Sequence, residues 1–307
     1  MKRWFIHFNG ECGGKLPHSI NQRFLNLSGG SYAMGLLIID ENKCKKDGLC
    51  ARECSAALIT FKENNIPMAL PADEARCMGC GHCVAICPHD ALRNIRIPEA
   101  GSPAIQPSLV INSEQAEQFL RSRRSVRRYH EKPVEKEKIQ RLIEVARYAP
   151  TAGNGQPVEW IVISGEERLH RISTLTVDWM RELIKNPQAV AAAPYLPTAV
   201  AAWDAGNDSI LRGAPTLVTA IAPAYAGLGL IDLTLALSYL DLFAQAMGLG
   251  TCWAGLVAGA LENSAAVREA VGIPENYTHY YPIMLGYPAV RFHRLPERKT
   301  PKITFAG

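Results

Sequence analysis

Seven of the nine cysteines in this 307-residue chain fall between Cys44 and Cys87, and no other feature limits the fold so strongly. Cys77-Met-Gly-Cys80-Gly-His82-Cys83-Val-Ala-Ile-Cys87-Pro88 is an unbroken C-x2-C-x2-C-x3-C-P run. Two-residue gaps in a tight turn bring three thiolates to three corners of one cubane cluster, and the fourth cysteine then faces a second cluster. Pro88 suits the first turn of a helix begun by Cys87, where no amide donor is needed. Zinc is the competing occupant of paired C-x2-C motifs. Four cysteines in one short run closed by proline favour iron and sulfide. A secreted disulfide scaffold does not fit, because such chains are short and follow a signal peptide. Residues 1–33 lack the continuous apolar core of one. Clustered thiols in a long chain point to a reducing, cytoplasmic compartment.

Cys44-Lys45-Lys46-Asp47-Gly-Leu-Cys50-Ala-Arg-Glu-Cys54-Ser55 repeats the same offsets, with Asp47 where the second cysteine belongs and Ser55 in place of proline. With both halves, the module resembles a two-cluster bacterial ferredoxin. The resemblance implies that Cys54, Cys77, Cys80 and Cys83 hold an ordinary [4Fe–4S] cluster. It implies that Cys44, Cys50 and Cys87 hold the other, with Asp47 at the fourth corner. A carboxylate is a harder ligand than a thiolate. The second centre is therefore [4Fe–4S] with Asp47 or water on one iron, or [3Fe–4S] with that corner empty. The alternative makes Asp47 a surface turn residue and leaves the second site vacant. His82 reads as a solvent-side residue. Lys45 and Lys46 are either solvated or help to dock an acidic redox partner.

The rest of the chain divides around this module. Residues 1–33 read as a leader or disordered extension, with Met34 as the native start and no role for Cys12. Residues 34–98 form the ferredoxin-like domain. Residues 99–116, with Pro103 and Pro107, read as a linker, and 117–307 form a larger domain. There Pro133 opens a helix with apolar positions Ile139, Leu142, Ile143 and Ala146, ended by Pro150. Residues 158–163 read as a buried strand. Helices follow at 166–184 and 197–203, a strand at 217–222, a short helix at 262–271 and a strand at 281–285. Leu228 to Leu249 is apolar enough to consider as a membrane span, but Asp232 and Asp241 would be costly there. It reads as a buried helix, at a subunit interface. No Gly-x-Gly-x-x-Gly turn marks a Rossmann site. A net charge of +4 is too small to imply a nucleic-acid or membrane partner.

Four segments carry the larger domain's chemistry. Arg121-Ser-Arg123-Arg124-Ser125-Val-Arg127-Arg-Tyr is a dense basic run. Ala149-Pro150-Thr151-Ala152-Gly-Asn154-Gly-Gln156-Pro157 follows the first helix, and Gly286-Tyr-Pro288 precedes His-Arg294-Leu-Pro-Glu-Arg298. In this order they resemble the nitroreductase family of FMN enzymes. A phosphate dianion favours forked arginine donors and a hydroxyl. The resemblance places Arg123, Arg124, Ser125 and Arg127 around the FMN phosphate and pyrimidine edge. Thr151 and Ala152 would pass close as backbone, and Asn154 and Gln156 would approach from the partner subunit. Arg294 or Arg298 would close over the phosphate. In Gly248-Leu-Gly-Thr-Cys252-Trp253-Ala254-Gly255, the resemblance puts the Ala254 and Gly255 amides at flavin N5. Many relatives carry an acidic residue at Ala254. Cys252 reads as a small buried residue under the flavin, with a redox thiol as the alternative. Trp253 either stacks on substrate or packs in the core.

The fold this implies is α+β: a central mixed sheet flanked by helices, with the small ferredoxin-like module at its N-terminus. The function implied is an iron–sulfur flavoprotein oxidoreductase and homodimer. It passes electrons from a low-potential donor, a ferredoxin or NAD(P)H, through two clusters to FMN. The acceptor is a nitroaromatic, a quinone or an enone-like compound. No protein acid, base or nucleophile is required. The alternatives are a redox sensor or carrier without substrate turnover, and a zinc-ribbon protein fused to a flavin-free fold.

Overall fold

The computed structural model describes residues 35–98 and 102–307. The Met34 start and Cys12 fall outside these residues. The chain divides into an N-terminal and a C-terminal compact unit, with Met78–Cys80 grouped with the latter.

The N-terminal unit runs β1 (Leu37–Ile39), α1 (Leu49–Glu53), β2 (Ile59–Phe61), β3 (Pro67–Ala69), α2 (His82–Ala85) and β4 (Leu92–Asn94). β1 pairs antiparallel with β4 and β2 with β3. The cysteine repeat is visible in the backbone: Gly48 and Gly81 precede α1 and α2, both left-handed at φ 71° and 78°. Its core is small. Cys50, Cys83, Val84 and Leu92 are buried together, with Leu37, Ile39, Ile59 and Ile97 packed against them. Cys87 does not begin a helix. It enters a turn closed by the Asp90 N–H donating to the Cys87 carbonyl at 3.5 Å. β4 must start at Leu92 to pair with β1, so no helix fits, and the fixed φ of Pro88 serves the turn instead.

The C-terminal unit runs α3 (Ser113–Ser122), α4 (Lys136–Ala146), β5 (Glu159–Ser164), α5 (Glu166–Leu183), α6 (Pro187–Ala192), α7 (Leu196–Asp204), β6 (Thr216–Pro223), α8 (Gly229–Ala246), β7 (Gly250–Trp253), α9 (Gly255–Asn263), α10 (Ala265–Val271) and β8 (Tyr277–Gly286). The strand order is β5-β6-β8-β7. Every pairing is antiparallel, not mixed as expected. β6 and β7, joined by the crossover through α8, are kept apart by β8. Side chains alternate across the sheet. Leu217 and Met284 face one core, built with α5, α7, α9 and α10. Val218, Ala220, Ile283 and Leu285 face the other, built with α4 and α8. β6 is buried along its whole length because both faces are covered.

Several boundaries differ from the sequence reading. A capping box at Asn112 and Gln115 starts α3 at Ser113, so the end of the expected linker is helical. α4 begins at Lys136, not Pro133, and ends at Ala146, four residues before Pro150. β5 is an edge strand and mostly accessible, not buried. Residues 262–271 are split at Ser264, whose side chain caps α10. α8 is long and apolar enough to cross a membrane by length and composition, the one such helix among the described residues. Here one face packs on β6, β8 and α4.

Candidate functional site

Cys44, Cys50 and Cys87 line one cavity in the N-terminal unit, together with Asp47 and His89. Burial pushes the Cys50 thiol pKa up, and Cys83 and Cys44 nearby add to the rise. A thiolate held there needs cationic metal beside it. Asp47 Oδ1 accepts the Leu49 N–H at 3.1 Å, a turn ahead of α1. Its Oδ2 lies 3.7 Å from His89 Nε2. Asp47 is thus both a turn residue and part of the cavity wall. Lys45 and Lys46 also line this cavity, and both are exposed.

Asn94 links Cys77 and Cys83, its Nδ2 lying 3.6 Å and 4.0 Å from their sulfurs. Asn94 is buried at the end of β4. The sequence reading missed it, although an amide 11 residues past Cys83 is a plain donor to look for. Cys54 directly follows α1, Cys80 is exposed, and His82 is exposed at the start of α2. Among the described residues no three His, Cys, Asp or Glu side chains converge as they would on a single ion. A cube gives each corner iron its own ligand, so its thiolates stand apart around a volume. The donor set fits iron–sulfide clusters better than a four-coordinate zinc.

In the C-terminal unit the basic run is extended along the ends of β7 and β8. The Val126 N–H donates to the Thr251 carbonyl at 2.8 Å, and the His130 N–H to the Tyr287 carbonyl at 2.9 Å. Tyr129 bridges to Pro288. Gly250 permits this approach: a Cβ there would sit 2.5 Å from Val126 Cγ2. The Tyr129 hydroxyl donates to the Val126 carbonyl at 2.7 Å, and burial pushes its pKa up. A pocket of about 160 Å³ opens beside the run, lined by Ser122, Arg123, Arg124, Asp241, Gln245 and Thr251 among others. Ser125 is half-buried, while Arg127 is exposed. Neither Arg294 nor Arg298 lines the pocket; both are exposed in the C-terminal segment, where Glu297 lies 3.6 Å from Arg121.

Asp241 organises this pocket. It is 5% exposed and accepts from Arg123 Nη1 at 3.4 Å, from Trp253 Nε1 at 3.2 Å and from the Thr251 hydroxyl. The sequence reading counted Asp241 only as a charge unsuited to a membrane. A lone carboxylate in an apolar helix is costly without partners, and the basic run was the partner to seek. Asp232, at the other end of α8, accepts the Ala152 N–H at 3.0 Å. α8 thus anchors both motif segments, from positions about 14 Å apart along its axis. The Thr151–Gln156 loop has positive φ at Gly153, Asn154 and Gln156. Sparsely populated backbone of this kind clusters at functional sites. The Gln156 N–H donates to Thr151 Oγ1 at 3.0 Å. Thr151 and Asn154 are half-buried; Ala152 and Gln156 are exposed.

Trp253 packs in the core: its ring lies 5.1 Å from that of Tyr281, and Asp241 accepts its N–H. Cys252 is buried, 6% exposed. The Ala254 N–H is already committed to the Pro282 carbonyl at 3.0 Å, which continues the β7–β8 ladder. It is therefore not free for flavin N5, and that expectation narrows to Gly255. Gly255 opens α9, where amides have no intrahelical partner.

A basic pocket at the end of the sheet and a separate thiol-lined unit are features that an electron-transferring oxidoreductase uses. Known proteins make the class particular. The chain belongs to the nitroreductase family, whose sequence profile matches residues 120–287. Residues 42–91 match the profile of the 4Fe-4S dicluster domain. A protein of Archaeoglobus fulgidus, provisionally named NADH dehydrogenase/NAD(P)H nitroreductase, is 29% identical over 175 residues, 57% of this chain and 86% of its own length. The FMN reductase (NAD(P)H) of Bacillus subtilis is 27% identical over 180 residues, 58% of this chain and 68% of that one. The crystal structure of a nitroreductase with bound FMN from Bacteroides fragilis matches with a TM-score of 0.50 at 19% identity, covering 63% of this chain and 100% of that one. At this identity the likeness is one of fold.

Proposed function

We propose that the chain is an FMN- and iron–sulfur-dependent reductase, taking electrons from a low-potential donor and delivering them to a nitroaromatic, quinone or enone-like acceptor. The observation that carries this is the basic run laid against β7 and β8, with Arg123 fixed by Asp241 at a pocket, in a chain that matches a dicluster ferredoxin domain. FMN, when bound, supplies the exchange between one-electron and two-electron transfer that single clusters lack. Arg123, Arg124 and Ser125 would bind its phosphate, with Arg127 and one of Arg294 or Arg298 joining from exposed positions. Thr151, Ala152, Asn154 and Gln156 would form a wall of the flavin site, the last two across a homodimer interface. The Gly255 amide would face the ring, with Cys252 and Trp253 packed behind it. Cys54, Cys77, Cys80 and Cys83 would hold one [4Fe–4S] cluster. Cys44, Cys50 and Cys87, with Asp47, would hold the second. Ferredoxin or NAD(P)H would be the donor, and the compartment cytoplasmic.

Anaerobic purification with iron, sulfide and flavin quantified together tests the reading. One FMN and about eight irons per chain are expected, with steady reduction of menadione by dithionite-reduced ferredoxin. A colourless, zinc-loaded protein would overturn it. A flavin-loaded protein that turns over no acceptor would instead be a carrier or sensor.

A further inference from the structure

We propose that the fourth iron of the second cluster has two protein ligands within reach, the Asp47 carboxylate and the His89 imidazole, and that either alone retains it. This rests on the two-cluster reading above. Asp47 and His89 line the same cavity as Cys44, Cys50 and Cys87. Three thiolates serve three corners, and the two remaining donors stand 3.7 Å apart, Nε2 to Oδ2. That spacing would let both serve the one remaining corner.

Both side chains are set in place by their own backbones. Asp47 commits Oδ1 to the Leu49 N–H at 3.1 Å, which leaves Oδ2 as a one-oxygen donor. His89 sits in the turn after Cys87, between Pro88, whose φ is fixed, and Asp90, held at φ 50°. Arg93 grips the Asp90 carboxylate with two hydrogen bonds, at 2.6 Å and 3.0 Å. The Ala91 N–H lies 3.4 Å from Cys87 Sγ. The turn that supplies the third thiolate is thus clamped, and it presents the imidazole with that thiolate.

Imidazole nitrogen suits iron as well as carboxylate does, and it replaces thiolate at one iron of some two-iron centres. Exchange between the two ligands is redox-neutral. One donor would replace the other on the same iron, with no electron gained or lost. Loss of Asp47 alone then leaves the cube closed.

The test uses the full-length chain, reconstituted anaerobically as wild type, Asp47→Asn, His89→Gln and the double variant. Asparagine keeps an acceptor for the Leu49 N–H. Each protein is read by iron analysis, by electron paramagnetic resonance when oxidised and by pulsed nitrogen-hyperfine spectroscopy when reduced. Both single variants are expected to keep the fourth iron. Asp47→Asn should show the strong nitrogen coupling of a bound imidazole, and His89→Gln should lack it. The double variant should lose about one iron per chain and give the three-iron signal. A three-iron signal in Asp47→Asn, or a four-iron cluster there without imidazole coupling, overturns the inference while the two-cluster reading stands. About four irons per chain in wild type overturns that reading and the inference with it. If the double variant fails to fold, the Asp47→Asn spectrum decides alone.

Discussion

Two buried side chains, Asn94 and Asp241, reach into the two candidate sites, and neither is a proposed ligand or a motif residue. Asn94 offers its amide to the Cys77 and Cys83 sulfurs. Hydrogen bonds to cluster sulfur favour the reduced, more negative state. Asn94→Leu should therefore lower the potential of the cluster at Cys77 and Cys83. A hydrogen bond of about 1 kcal/mol corresponds to roughly 40 mV for one electron. Anaerobic spectroelectrochemistry measures the shift, and an unchanged potential would leave the amide a packing role only. Asp241 gathers three donors from segments as far as 118 residues apart in sequence. Asp241→Asn removes the charge and keeps the shape. It should weaken FMN binding to the apoprotein by about tenfold or more, since hydrogen bonds to charged groups contribute about 1.5–3 kcal/mol. Asp241→Glu should restore part of the loss. Fluorescence titration with FMN reads both, and equal affinity in wild type and Asp241→Asn would detach Asp241 from the flavin site. The Arg123–Asp241 pair shows where sequence reading stops. The basic run is visible in composition, but its partner depends on a fold that brings α8 under it.

At the scale of elements, what was legible followed burial on both faces. β6 reads as a continuous apolar run because α8 covers one side and α5 the other. β5 carries a similar run, Trp160 to Ile163, yet lies at the sheet edge. Strand order, which no local pattern encodes, decides the difference. Pro88 is equally ambiguous, since its fixed φ serves a first helical turn and a tight turn alike. α8 has apolar residues on both faces: Leu233, Leu237 and Leu240 are buried, while Ile231, Leu235 and Tyr239 are exposed. If the exposed stripe is the proposed dimer contact, Ile231→Lys with Leu235→Lys should shift the protein from dimer to monomer in light scattering and release FMN. A second element contact predicts a pH effect. The Tyr287 hydroxyl donates to Glu135 at the start of α4, and Lys138 Nζ lies 2.8 Å from the same hydroxyl. That bond, first among several, lowers the Glu135 pKa from 4.5 to about 2. A lowered pKa in the folded state stabilises above the ordinary value, and the contribution is lost as pH falls from about 4.5 toward 2. Glu135→Gln should flatten the acid limb of a stability–pH curve across that window, measured by denaturant titration.

At the scale of the whole molecule, the two units meet the cost of folding differently. The C-terminal unit has two cores on either side of one sheet, with Leu217, Leu237, Leu261 and Ile283 fully buried among many others. Apolar burial at about 25 cal/mol per Å² is enough to hold such a domain without a ligand. The N-terminal unit has about 60 residues, a size at which a hydrophobic core alone is marginal. Cys50 and Cys83 are two of the four buried residues that cluster together there, with Leu36, Leu58, Ile66 and Ala91 buried besides. Burial raises the Cys50 thiol pKa, so without metal that side chain stays a neutral thiol that packs as a small apolar group and cross-links nothing. If these cysteines hold the proposed clusters, the bound iron would cross-link the unit, and metal binding would become folding free energy. The holoprotein should therefore melt in two calorimetric steps. Stripping the clusters with chelator under oxidising conditions should abolish the step belonging to residues 35–98. The other step, and the bound flavin, should persist. Limited proteolysis should then cut the stripped protein between Cys44 and Cys87 and leave residues 120–287 intact. Protection of the cysteine segment in the iron-free protein would show instead that its few apolar contacts suffice.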